Sequence, residues 1–177
     1  QAVWDIKGEA LGVPVYELLG GAVRNKMKVY GWIGGDRPSE LAKGAAKRIE
    51  HGFRAVKMNA CAEMEWIDSP DKISRAVKNI EAVRNAIGYD RELGIDFHGR
   101  VHKGTAKRFM QELDYLKPMF IEEPVLSENF RAFSTLASYT SAPIATGERL
   151  YSRWDFKPLL EQGSVDIIQP DLSHAGG

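Results

Sequence analysis

Three carboxylates in this 177-residue chain recur at even intervals: Asp96, Glu122 and Glu148 stand 26 and 26 residues apart. Each closes a short apolar run, Leu93-Gly94-Ile95, Met119-Phe120-Ile121 and Pro143-Ile144-Ala145-Thr146-Gly147. An interval of that size is about one strand-plus-helix unit. On neighbouring parallel strands it places the three acids at one rim, the C-terminal rim where barrel enzymes keep their chemistry. Carboxylates gathered there repel one another unless a cation neutralises them, and a hard divalent ion that takes oxygen ligands, Mg²⁺ first, does so. The competing reading is that each acid caps a helix or pairs with a nearby base.

Other groups fall near the same rim. In Asp96-Phe97-His98, strand alternation puts the acid and the imidazole on one face and Phe97 on the other. A histidine beside a metal-binding carboxylate suits proton transfer near neutral pH; the plainer alternative is a rim histidine bonded to its neighbour. Lys57 and Asn59 also share a face. Lys57 is read either as a base or substrate-carboxylate holder, or as a lysine bridging core carboxylates. Asp171 lies in Gln169-Pro170-Asp171, one unit beyond Glu148. It is placed either to orient a base on the next strand or to cap the helix that follows. His51, His102 and His174 show no partner in the sequence and are read as solvated or structural.

The elements that must carry these residues form a regular beat. Residues up to about 22 read as helical, ending near Leu18-Leu19-Gly20-Gly21. Strands are expected over Met27 to Ile33, Arg54 to Asn59, Leu93 to Asp96, Met119 to Glu122, Pro143 to Thr146 and Val165 to Gln169. Helices alternate with them: Ser39 to His51, Ser69 to Ile87, one marked by Phe109, Leu113 and Leu116, one opened by Ser127, and one running from Ser152 to Gly163. In the helix opened by Ser69, that residue caps, Pro70 suits the first turn and Gly88 the exit. Ile73, Val77, Ile80, Val83 and Ile87 line one face. Such alternation implies an α/β fold with a parallel sheet, spaced as in a (β/α)₈ TIM-type barrel. A doubly wound sheet is the rival, though Gly34-Gly35-Asp36 is no dinucleotide-binding turn. The expected organisation is a helical lead-in over 1–22, the end of a capping segment, followed by an incomplete barrel of about six units over 23–177. Bare edges are expected at the first and sixth strands.

Composition narrows the partners. The 24 Lys and Arg balance 24 Asp and Glu, which argues against a broad nucleic-acid or anionic-membrane surface. No apolar run approaches the ~18 residues a membrane span needs. The single cysteine, Cys61, excludes an intrachain disulfide and fits a reducing, cytoplasmic setting.

Four stretches carry a family resemblance. They are Gly94-Ile95-Asp96-Phe97-His98-Gly99-Arg100, Phe120-Ile121-Glu122-Glu123-Pro124, Thr146-Gly147-Glu148-Arg149 and Gln169-Pro170-Asp171-Leu172-Ser173-His174-Ala175-Gly176-Gly177. Together they resemble the mandelate racemase branch of the enolase superfamily, and within it the dehydratases that act on galactonate. The second and third are shared across that branch; the Asp-Phe-His-Gly-Arg run is more specific. The resemblance implies that Asp96, Glu122 and Glu148 ligate Mg²⁺, that His98 is the general acid for a departing 3-hydroxyl, and that Asp171 orients a histidine base beyond Gly177. Racemase relatives carry a second lysine where Asn59 stands, so the run Lys57-Met58-Asn59 favours dehydration over two-base racemisation. The implied substrate is a sugar acid, D-galactonate first and mannonate as an alternative. Homo-oligomeric assembly and activity are expected of a longer protein of which this chain is a part, the chain alone lacking the base. A non-catalytic truncated product is the remaining alternative.

Overall fold

The computed structural model describes residues 1–62, 64–65 and 67–176. Two helices open it, α1 (Ala2–Leu11) and α2 (Val15–Leu18). The single helical lead-in expected from sequence is broken by Gly12 in a left-handed turn and by Pro14, which cannot continue a helix. There follow β1 (Gly31–Trp32), α3 (Pro38–Glu50), β2 (Ala55–Asn59), α4 (Pro70–Ile87) and β3 (Glu92–Asp96). Next come α5 (Lys103–Leu113), β4 (Phe120–Glu122), α6 (Phe130–Leu136) and β5 (Ile144–Thr146). The order closes with α7 (Arg153–Gln162), β6 (Ile167–Ile168) and α8 (Leu172–Ala175).

All six strands are parallel, and their order in the sheet is their order in the chain. A doubly wound sheet reverses direction part-way across; this one does not. With right-handed crossovers, unidirectional winding lays every helix on the same face. Accordingly α3 packs on α4, α4 on α5, α5 on α6 and α6 on α7. This is the winding of a (β/α)₈ barrel, in six units. Among the described residues β1 pairs only with β2 and β6 only with β5.

Side chains alternate across the strands and sort by face. Val56, Met58, Leu93, Ile95, Ile121 and Ile144 turn to the helices and form the core with Ile73, Ile80, Phe109, Leu113 and Phe133. Lys57, Gly94, Asp96, Phe120 and Glu122 take the opposite, inner face. The helix α4 starts where its sequence says: the Ser69 hydroxyl accepts from the Lys72 amide, and Gly88 at φ 74° ends it. Ser152 and Asp155 cap α7 reciprocally.

The outer strands are shorter than the apolar runs suggest. β1 pairs through Gly31 and Trp32, with the Ile33 amide also donating to Lys57 O at 3.0 Å, whereas Met27 and Val29 are exposed. An apolar run at the edge of a sheet has few backbone partners to hold it as strand. β6 is likewise two residues long, with Gln169 just beyond it still donating its amide to Thr146 O at 2.9 Å. Ser127 opens a 3₁₀ turn rather than α6 itself, and Leu116 sits in a 3₁₀ turn just beyond α5.

Candidate metal centre

Asp96 and Glu122 are the last residues of β3 and β4 and are register partners, as Asn59 and Asp96 are between β2 and β3. The rim therefore presents Asn59, Asp96 and Glu122 side by side. Glu148 is offset. The partner of Glu122 on β5 is Ala145, so Glu148 lies three residues beyond that level. Even spacing in sequence hides this, because adjacent barrel strands are staggered. Asp96 and Glu122 are 4% and 3% exposed, whereas the Glu148 side chain is 35% exposed.

The two buried acids are held by Lys57. Its Nζ lies 3.1 Å from Asp96 Oδ2 and 2.5 Å from Glu122 Oε2. The rings of Tyr30 and Trp32 flank the ammonium at 5.9 and 6.0 Å. Of the two sequence readings of Lys57, the bridging one describes this arrangement. Two carboxylates and one ammonium leave the buried group net negative, and the proton affinities follow. Burial works to lower the Lys57 pKa, but bonding to Glu122 and the charge of Asp96 raise it overall. Burial pushes Glu122 above the usual carboxylate range, and Asp96 adds to this, more than Lys57 and Gln169 pull it down.

His98 sits one turn past the strand at φ 57°, a left-handed conformation. Strand alternation does not reach it, since β3 stops at Asp96. The tight turn nevertheless returns the imidazole to the acid. The His98 amide donates to Asp96 Oδ1 at 2.7 Å, and Nδ1 stands 3.5 Å from Asp96 Oδ2 and 4.0 Å from Glu148 Oε1. Phe97 turns to the helices and stacks on Phe109 at 4.7 Å. His98 thus stands between the two acids that the stagger separates, its Nδ1 hydrogen-bonded to neither. Its side chain is 37% exposed, open to a ligand at the rim.

Two contributors at this rim carry no strong sequence signal. Gln169, just after β6, donates from Nε2 to Glu122 Oε2 at 3.1 Å. Glu123 is fully buried, accepting from the Thr146 hydroxyl and from the Gly147 amide at 3.0 Å. Burial pushes its carboxyl up in pKa, against those two donors. The acidic doublet before Pro124 was the one cue to Glu123; an amide such as Gln169 offers none.

Asp171 caps α8, accepting from the Ser173 and His174 amides at 2.7 and 3.2 Å, and its second oxygen stands 3.7 Å from His174. These backbone donors hold its pKa below the usual range. The capping reading thus describes Asp171 here, while His174 gains partners that the sequence did not reveal, including the Tyr151 ring at 5.5 Å. Gly177, which ends the last motif, lies outside the described residues.

Among the described residues, no three His, Cys, Asp and Glu side chains already converge as a metal cage. The donor set still fits a hard cation. Its oxygens are carboxylate and amide, and two acceptors next to the buried acids, Asn59 Oδ1 and Gln169 Oε1, are buried without a hydrogen-bond partner. The space between Asp96 and Glu122 already holds a positive charge, that of Lys57.

Residues 40–177 match the family described as enolase C-terminal domain-like. The D-galactonate dehydratase of Pectobacterium atrosepticum is 55% identical over all of this chain and 46% of its own length. That of Variovorax paradoxus is 52% identical over the same shares. A solved member of the enolase superfamily from Salmonella Typhimurium is 30% identical, with a TM-score of 0.92 over 99% of this chain and 50% of that one. The chain thus spans about half the length of the relatives it matches.

Proposed function

This chain belongs to the enolase C-terminal domain-like family, and from that premise we propose that it forms the metal-holding half of an acid-sugar dehydratase, with D-galactonate as first substrate. The observation that carries the reading is the rim itself: two register-paired buried carboxylates bridged by one ammonium, with His98 reaching from them toward a third.

Asp96, Glu122 and Glu148 would hold Mg²⁺, and Mn²⁺ accepts the same oxygens. When bound, the ion supplies positive charge opposite the substrate carboxylate, which lowers the cost of removing the proton on the adjacent carbon. Lys57, relieved of the two acids, is the cation available to the substrate carboxylate, and Asn59 stands beside it on the same strand. His98, exposed at the rim, delivers a proton to the departing 3-hydroxyl. Asp171 is assigned to orient the base that takes the C2 proton; the resemblance places that base on a further strand. Water and a 2-keto-3-deoxy acid are the products. Among the described residues no helix is long and apolar enough to cross a membrane.

The test uses a protein in which this chain stands within a full eight-stranded barrel. It is screened against aldonates, galactonate and mannonate included, with Mg²⁺ and a keto-acid readout. His98→Asn should stop dehydration while C2 proton exchange with D₂O continues. Loss of exchange together with dehydration would refute the acid assignment, and no turnover of any aldonate would refute the activity.

A further inference from the structure

We propose that Glu123 is a positioning residue that sets Glu148 for cation binding by clamping the turn after β5. The inference rests on the metal reading above and adds a residue to it.

Strand alternation alone would send Glu148 the wrong way. Ile144 faces the helices, so Thr146 and, two further on, residue 148 would face them as well. Gly147 at φ 139° breaks that sequence and brings Glu148 Oε1 to within 4.0 Å of His98 on the inner rim. Only glycine fits there. A Cβ on Gly147 would lie 2.9 Å from the Gln169 amide nitrogen and 3.0 Å from the Phe156 ring. A glycine turn has freedom to relax, and something must hold it.

Glu123 supplies the hold. One carboxylate oxygen accepts from both residues that precede Glu148, the Thr146 hydroxyl and the Gly147 amide. The backbone of Glu123 is fastened on both sides. Its amide donates to Ala145 O at 3.0 Å, and its carbonyl accepts from the Gly99 amide at 2.9 Å. Gly99 follows His98, so this one residue ties the turn carrying His98 to the turn carrying Glu148. Glu123 itself takes φ 42°, a conformation that costs a non-glycine residue energy and persists only where the surroundings enforce it. The charge of Arg149 also favours a carboxylate here, while the second Glu123 oxygen is buried without a hydrogen-bond partner.

The experiment is a double-mutant cycle in the protein whose full eight-stranded barrel contains this chain, read as Mn²⁺ affinity by electron paramagnetic resonance, with fold checked by circular dichroism. Glu123→Leu should weaken Mn²⁺ binding about 10- to 100-fold, the usual cost of removing a group that orients a ligand. Glu123→Gln keeps an acceptor oxygen and should restore most of the affinity. In a Glu148→Gln background, Glu123→Leu should have no further effect, because the ligand it aims is gone. A merely structural role would weaken both backgrounds equally, or alter stability and leave affinity unchanged, and either result overturns the proposal. If Glu123→Leu does not fold, Thr146→Val, which deletes one donor to the same oxygen, takes its place in the cycle with the same outcomes. A parent chain that binds no Mn²⁺ overturns the metal reading and this one with it. A parent that binds, matched by the Glu123 and Thr146 variants, overturns this one alone.

Discussion

Lys57→Met isolates the charge balance of the rim. The ammonium contacts both Asp96 and Glu122, and all three groups are largely removed from water. Taking one partner from a buried ion pair costs about 3–5 kcal/mol, since the remaining charge is left uncompensated. Here two like charges remain. Methionine keeps the apolar stem of lysine as far as the ε carbon, so lost packing adds little. Urea unfolding in metal-free buffer should therefore show a deficit of that size. Two conditions should shrink it. Mg²⁺ at a hundred times the variant's dissociation constant should stabilise the variant by about 2.7 kcal/mol, and the parent by less, because its Lys57 must first be displaced. Acidification should also help. Glu122 already binds its proton more tightly folded than unfolded, so stability rises as pH falls through its raised folded value. A variant within 1 kcal/mol of the parent, or one indifferent to Mg²⁺, would refute the view that Lys57 stands in for a cation.

Other features predict further outcomes. Arg84 is buried and donates to four carbonyls, of Gly88, Arg91, Leu116 and Lys117, at 2.7–2.9 Å. It joins the entries to β3 and β4, so Arg84→Met should cost about 3–4 kcal/mol in urea unfolding, with Arg84→Lys close behind because an ammonium lacks the guanidinium's fork. Asp114 is held below the usual carboxylate range chiefly by the Ser141 amide, helped by the Thr140 and Ser141 hydroxyls. Its contribution is present above the unfolded value of 3.8 and lost as pH falls through the folded one, so Asp114→Asn should flatten acid destabilisation below about pH 4 in a pH series of thermal melts. The Cys61 thiol, pushed up to about 11 by burial, should react with a disulfide reagent at pH 8 far more slowly than a free thiol until the chain is unfolded.

Much of this fold is legible in the sequence. Apolar periodicity and caps mark α4 and α7 closely, because Ser69, Gly88, Ser152 and Gly163 act through local backbone geometry. Asp96 and Glu122 were legible as rim acids, since each ends a buried strand and strand ends are set by nearby residues. The stagger that lifts Glu148 three residues past its neighbour's level was not, because shear belongs to the whole sheet and leaves no mark on one strand. Nor was the left-handed turn at His98: alternation placed it beside Asp96 for a reason the chain does not use. Arg84 illustrates the other blind spot. Its position among Ile80, Val83 and Ile87 on α4 looks like a polar interruption, and only the fold brings four carbonyls to it. Among the described residues β1 and β6 each pair on one side only, which the apolar runs of Met27 to Ile33 and Val165 to Gln169 do not encode.

The central claim is that one divalent ion belongs among residues 96, 122 and 148. Crystals grown with Mn²⁺ and measured for anomalous scattering test it most directly. The account predicts a single strong peak with an oxygen of each of Asp96, Glu122 and Glu148 at about 2.1 Å, and the Lys57 ammonium displaced from between the first two. A peak elsewhere, or Lys57 still seated between Asp96 and Glu122 with Mn²⁺ in excess, would contradict it.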